Sequence, residues 1–422
     1  MGFYVKEEWS ALDGPGLPAA AKRGGTYKAY VPDKIADGTQ PIIPIPAELT
    51  SYATQLHRQI AEVSIDIEPI ARFLLHSEAI SSSRIEGIAP HSDKIALAEL
   101  ALEGSEPVRG FPASSEDVAR NITIVSSSQE QLAGADTVSV DDLIDLQAQL
   151  LGPRTRLATG LRTIQNWVGG SHYNPIGADF VPPPPRYVPE LMDDLIAFIN
   201  TPQHSPLIQA AIAHAQMETI HPFLDGNGRV GRALIHLILG RAGLVRDVVF
   251  PVSLVLGSWS ESYIAGLTAY RAGDETTWVR TFLEACDMAI VQSGIIASDL
   301  KELQTQWEHR VSEDRQQTGR RGKLRTDSAQ AKILRALPSH PLLTARTAAT
   351  LCAVSVQNAR VALESLAGIG ILRKKTIGPG GLLGYLADDV FALLDTTERR
   401  LASSQFDTAA AQPSARAVPL RR

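Results

Sequence analysis

Twelve residues constrain this chain more than any other stretch: His221-Pro222-Phe223-Leu224-Asp225-Gly226-Asn227-Gly228-Arg229-Val230-Gly231-Arg232. Apolar residues recur at helical spacing on both sides, so one helix (204–220) ends here and another opens near Arg229 and runs to about Arg241. Two glycines flank an asparagine in the loop between them. Glycine lets backbone N–H groups converge on an anion, and the helix that opens there turns its positive dipole end to the same point. Arg229 and Arg232 stand three apart, share a helix face, and each offers a planar fork suited to phosphate oxygens. Asp225 supplies the hard oxygen that Mg²⁺ on a phosphate takes, and His221 is a proton acceptor near neutral pH. A base, a metal ligand, an anion nest and two arginines together describe phosphoryl or nucleotidyl transfer.

Two look-alikes fail. Gly226 to Gly231 fits the pattern G-x-G-x-x-G, but a helix precedes it where a dinucleotide site needs a β-strand. Gly319 to Lys323 has the wrong spacing for a Walker A loop.

Periodicity predicts a mainly α chain. Helical patterns cover 46–103, 115–133, 139–152, 188–200, 204–220, 260–271 and 275–299. Residues 163–185 differ: β-formers Ile164, Trp167 and Val168 precede Gly169-Gly170 and the run Pro182 to Pro185, which predicts a β-hairpin or extended flap. Residues 1–40 read as an extended arm, and 301–327 as a polar linker. Within 328–395, helices at 328–337, 344–352 and 355–369 and strands near 371–376 and 382–387 make a winged helix-turn-helix pattern. Residues 396–422 read as a flexible tail.

A length of 422 residues implies two or three domains, and 44% hydrophobic content suffices for a core. The net charge of -6 argues against a polyanion binder as a whole. Cys286 and Cys352 are the only cysteines, which fits a reducing compartment and neither a disulfide framework nor a cysteine metal cluster. No apolar run reaches the roughly 18 residues of a membrane span, and the charged N-terminus lacks a signal peptide's core. Gly2 is no myristoylation signal, since Lys6 stands where Ser or Thr is wanted. The expectation is a cytoplasmic protein with no membrane partner.

The stretch 221–232 resembles the signature of the Fic family, H-P-F-x-D-G-N-G-R-x-G-R, at every defined position. The resemblance extends over 213–220, the flap at 167–185, and Ser262 to Arg271 with Trp278. It implies a Fic-type helical bundle at 113–300, preceded by a helical domain at 41–112. It implies a protein adenylyltransferase that moves AMP from ATP, with Mg²⁺, to a Ser, Thr or Tyr hydroxyl of a target protein. His221 would be the base and Asp225 the metal ligand. Gly226, Asn227, Gly228 and Gly231 would shape the phosphate cradle, Arg229 and Arg232 would grip the β- and γ-phosphates, and Phe223 would anchor the loop. The flap near 171–181 would pair with the target's backbone as an added strand. Phosphate-transferring Doc relatives carry Lys at the second motif glycine, and Gly228 here favours AMP transfer.

Ser82-Ser83-Arg84-Ile85-Glu86-Gly87 reads by itself as a helix stopped at glycine. Beside the Fic signature it resembles the family's inhibitory motif, S/T-x-x-x-E-G/N. The implied mechanism has Glu86 compete for Arg232, with Ser82 and Gly87 completing the motif. Alternatives are removal of AMP from a modified protein, and a DNA-binding regulator that uses the Fic core as a nucleotide sensor. His214 and Glu218 read as core or supporting residues, Trp278 mostly as core, and Tyr263 as a candidate wall of the adenine pocket. The segment 301–375 carries an excess of eight positive charges. Arg346, Arg360, Arg373, Lys374 and Lys375 make DNA a candidate partner, with a protein-docking or homodimer role as the competing reading. Base-reading side chains are few, Gln357 and Asn358 being the main ones.

Overall fold

The computed structural model describes residues 2–405 apart from 12, 13, 15, 37–42, 68, 69, 105, 129–131, 133, 154–158, 245–247 and 320–323. The N-terminal stretch read as an extended arm pairs with itself. Strands β1 (Phe3–Trp9) and β2 (Gly25–Val31) form an antiparallel pair, from Phe3 opposite Val31 to Trp9 opposite Gly25. Tyr27 and Tyr30 on β2 and the aromatics of β1 suit a pleated, half-buried surface.

Helices α1 (Ala47–Ile67), α2 (Ala71–Ile85), α3 (Ser92–Leu102), α4 (Ala113–Ser127) and α5 (Val140–Leu151) follow. Ser139 and Asp142 cap α5 reciprocally, as a helix start needs. The flap comes next and is held by one bridge, Val168 opposite Phe180, in place of a full hairpin. Its polyproline end leads into α6 (Val188–Asn200), α7 (Pro206–Ile220) and α8 (Asn227–Arg241). Nearly every residue of α7 and α8 is buried, so these two helices are the centre of the bundle. Alanines at 210, 211, 213 and 215 let neighbours approach α7 closely, and Trp278 donates to the Ala211 carbonyl at 2.7 Å.

A short helix, α9 (Val252–Ser258), precedes α10 (Ser260–Arg271) and α11 (Glu275–Gln317). The expected break near 299 does not occur. Leu300, Trp307 and Val311 keep one face of α11 buried through most of the stretch read as linker, and Trp307 donates to Asp389 at 3.1 Å. The C-terminal unit holds α12 (Ala329–Ala336), β3 (Leu342–Leu343), α13 (Ala345–Cys352), α14 (Val356–Gly368), β4 (Arg373–Thr376) and β5 (Leu383–Leu386). Its sheet is antiparallel in the order β3-β5-β4. Helix α15 (Asp388–Gln405) then runs into the expected tail as far as Gln405; its buried Val390, Leu394 and Leu401 give it a face to dock. The remainder, 406–422, lies outside the described residues. The mainly α expectation holds. Among the described residues no helix is long and apolar enough to cross a membrane.

Candidate active site

The turn from α7 to α8 is built by backbone strain and one asparagine. His221 ends α7 in the left-handed region (φ 50°), which is uncommon for a residue with a side chain. Gly226 (φ 87°) then opens α8, where a Cβ would meet Leu150 at 2.9 Å. Asn227 closes the loop: its Oδ1 accepts from the Phe223 N–H and its Nδ2 donates to the Phe223 carbonyl, both at 2.8 Å. Phe223 is fully buried, so the loop is anchored in the core from the same point.

The side chains around this turn converge. Arg232 is buried, with Nε donating to Ser82 Oγ at 2.9 Å and Nη2 donating to the Ser82 carbonyl at 2.8 Å and to Glu86 Oε1 at 2.9 Å. Glu86 lies over the loop's second glycine; a Cβ on Gly228 would stand 2.0 Å from Glu86 Oε1. Burial pushes the Glu86 carboxyl up, but the Arg232 guanidinium outweighs it and holds the carboxyl below its ordinary value. Glu86 is also the C-cap of α2, and Gly87 follows in the left-handed region (φ 76°). The helix stop and the arginine contact are therefore one structure: the stop aims the carboxylate.

Burial depresses His221 to about 4, against an upward pull from Glu86, so the ring is neutral at pH 7 and keeps a nitrogen lone pair free to accept a proton. Asp225 is half exposed at the mouth, and its bonds from the Gly226 N–H (2.7 Å) and Arg229 (3.5 Å) both fall on Oδ1. One carboxylate beside a phosphate-binding loop is the usual setting for Mg²⁺, which completes its shell with water and phosphate oxygens, so Asp225 fits that ion. No larger cluster of His, Cys, Asp and Glu suited to a metal occurs among the described residues. Arg229 is buried beside the loop.

Behind the loop lies a polar core. His214 Nδ1 meets the Gly231 carbonyl at 2.9 Å, so it carries the proton; Nε2 then accepts from the Tyr263 hydroxyl at 2.8 Å. Burial holds His214 neutral, at about 3. Tyr263 is stacked on that ring and is itself buried, so it braces α7 against α10. Glu218 is pushed up to about 7 by burial, with Glu86 adding to the rise and Arg232 and Arg271 opposing it. A Cβ on Gly231 would be tight, meeting Glu218 Oε1 at 3.0 Å and His214 Nδ1 at 3.3 Å.

Three residues that sequence reasoning passed over hold the loop. Arg162 is buried, with Nε donating to the His221 carbonyl at 2.8 Å and Nη2 to the carbonyls of Ile220 (3.3 Å) and Pro183. Asn166 donates to the carbonyls of His221 (3.3 Å) and Phe223 (2.8 Å). Gln147 donates to the Asp225 carbonyl at 3.3 Å. A lone arginine just ahead of the flap's apolar residues was the one local sign. The N-terminal strands brace the flap from outside: Tyr30 N–H donates to the Val181 carbonyl at 2.9 Å, and Trp9 meets Trp167 edge-on at 5.3 Å.

The basic residues read as a DNA-facing set are largely engaged within the molecule. Arg373 pairs with Asp388, Lys374 with Glu364 (3.0 Å), Lys375 with Asp93 (3.2 Å) and Arg346 with Glu106 (3.9 Å). Lys375 and Arg346 thus reach across to Asp93 and Glu106, while Arg373 and Lys374 pair locally, and DNA binding finds no support in them.

Residues 137–239 match the Fic/DOC family, a span that contains the whole of 221–232 and excludes α2. A relative, protein adenylyltransferase fic-1 of Caenorhabditis elegans, is 34% identical over 149 residues, 34% of this chain and 26% of that protein. A probable protein adenylyltransferase of Aquifex aeolicus is 29% identical over 186 residues, 43% of this chain and 53% of that protein. The match thus spans about a quarter to a half of these relatives' length. The crystal structure of a Fic family protein from Desulfovibrio desulfuricans G20 aligns over 80% of this chain and 96% of that one, with 22% identity and a TM-score of 0.47.

Proposed function

We propose that this chain, whose residues 137–239 match the Fic/DOC family, transfers AMP from ATP to a Ser, Thr or Tyr hydroxyl of a target protein, and that Glu86 holds the reaction off. One observation carries the reading. The Glu86 carboxylate lies over Gly228 and on Arg232, where the loop would otherwise take a nucleotide's phosphates. A carboxylate is a fair stand-in for a phosphate at such a nest, and the two cannot share it.

With Glu86 withdrawn, the residues divide the work. Backbone N–H groups at 226–228 and the start of α8 cradle the phosphates, and Arg229 and Arg232 neutralise them. Asp225 would hold Mg²⁺, which would supply charge neutralisation at the phosphates. His221, neutral at pH 7, takes the proton from the target hydroxyl. The hydroxyl oxygen bonds to the α-phosphorus, the α–β bridge breaks, and pyrophosphate leaves with the bonding pair. The flap at 171–181, whose own pairing is limited to the Val168–Phe180 bridge, is read as the strand that takes the target's backbone. Both cysteines are free and buried, which suits a reducing compartment such as the cytoplasm. The C-terminal unit, with three helices and a short antiparallel sheet, is read as a winged helix that docks protein, in this chain or in a second copy.

The test is intact-mass spectrometry after incubation with ATP and Mg²⁺. Glu86→Gly should gain one adenylate mass, and Glu86→Gly with His221→Ala should gain none. A gain of one phosphate instead, or no gain in either protein, overturns the proposal.

A further inference from the structure

The contact between α2 and α8 is a ladder. Glu78 meets His236, Ser82 meets Arg232, and Glu86 meets Gly228 and Arg232. Each step of four residues up α2 is matched by a step of four back along α8, about one turn on each helix. The two helices therefore run antiparallel in a single register.

The end rungs differ in kind. Glu86 is 39% exposed, open to the mouth of the site, whereas Glu78 and His236 are 0% and 1% exposed. The Glu78 carboxylate accepts from His236 Nε2 at 2.8 Å, from the Ser253 N–H at 2.7 Å, and from Ser253 Oγ. Three helices are thus joined at one group: α2 through Glu78, α8 through His236, α9 through Ser253. Asn121 on α4 grips the adjoining face of α2, at the Ala79 carbonyl and Ser83 Oγ, without charge.

A carboxylate this deep is a poor investment for stability, because apolar residues of similar size commonly do as well. What it adds is direction. Only one placement of α2 brings Glu78 to both His236 and Ser253; sliding or rolling the helix leaves a buried charge without donors. We infer that Glu78, His236 and Ser253 form a register lock, positioning residues that set Glu86 over Gly228 and against Arg232. The lock lies two turns from Glu86 and touches none of the residues that would hold nucleotide, apart from sharing α8 with them. Loosening it frees the phosphate nest by letting the α2 end drift.

This inference rests on the inhibitory reading of Glu86, and the experiment separates the two. Glu78→Gln and His236→Gln are made in the otherwise unchanged chain and in Glu86→Gly. AMP gain is followed by intact mass, and amide exchange at residues 82–88 by mass spectrometry. The lock predicts at least fivefold faster AMP gain for Glu78→Gln than for the unchanged chain, faster exchange at 82–88, and no further gain in the Glu86→Gly background. A merely structural contact predicts slower AMP gain in both backgrounds. Glu78→Gln at the unchanged chain's rate, beside an elevated Glu86→Gly, overturns the lock alone. If Glu86→Gly itself gains nothing, the inhibitory reading fails, and exchange at 82–88 still decides the lock: faster exchange upholds the register, unchanged exchange removes it.

Discussion

Arg162 is the residue whose change would say most about how the loop is held. It is a buried cation whose side-chain bonds to His221, Ile220, Pro183 and Ile164 all end on backbone carbonyls. Burial pulls its guanidinium down to about 10, so it is still charged at neutral pH. Two of those carbonyls close α7 where the chain turns through the left-handed His221, and a third is at the flap's base. Arg162→Lys keeps the charge but loses the fork. A single ammonium cannot reach His221 and Pro183 in the same directions, so about two charge-assisted bonds are lost. At about 1.5–3 kcal/mol each, and not fully additive, the cost is about 3–5 kcal/mol. A domain of ordinary stability survives that, with the urea midpoint lowered by about 1–2 M. The functional consequence is separate. If Arg162 places His221, then AMP gain in the Glu86→Gly background should fall about 10- to 100-fold, the penalty for misplacing a catalytic group by about 1 Å. Urea melts and intact-mass time courses on the same samples read both. A lowered midpoint with the rate within about twofold would refute the reasoning: Arg162 would then brace the fold, and Asn166 and Asn227 would set the loop.

Two further outcomes follow from the electrostatics. Glu86→Gln keeps the shape and one acceptor but removes the charge on Arg232; because Glu86 is partly exposed, the discounted loss is about 1–2 kcal/mol, or roughly a 5- to 30-fold rise in AMP gain. A rate equal to the unchanged chain's would show that shape, not charge, seats Glu86. Since Arg232 holds the Glu86 carboxyl below its ordinary 4.5, the contact is whole above that pH and is lost only as pH falls through the lower folded value, so inhibition should persist at pH 5. Glu218 has the opposite sign. Its carboxyl is raised to about 7, so folding favours the protonated form, and a penalty of at most about 3 kcal/mol grows as pH rises from about 4.5 to 7. Glu218→Gln should therefore raise the melting temperature at pH 8 and change it little at pH 4.5; equal shifts at both would rule out the ionisation as the cause.

How much was legible depended on distance along the chain. The loop chemistry was written in twelve contiguous residues, because a nest, a helix start and an i, i+3 arginine pair are all local. The Glu86-Gly87 helix stop was legible for the same reason, and its seat on Arg232, 146 residues away, came only with the family resemblance. Pattern failed where burial lay outside the window. Residues 301–317 look like linker by composition, yet Trp307, which donates to Asp389, and Val311 are buried and α11 runs on unbroken. The first 31 residues read as an arm until β1 finds β2.

By itself, then, the sequence determined the mainly α class, the glycine-rich turn between α7 and α8 and the kinds of side chain gathered on it. Only tertiary structure decided which groups are buried together, because hydrogen bonds from side chains to distant carbonyls carry no periodicity. That decision made Tyr263 a brace and Arg162 a clamp, joined Glu78 to His236 and Ser253, and gave His221 and Glu218 their shifted protonation. The cost of burying a charge is set by everything packed around it, and that exists only once the chain has folded.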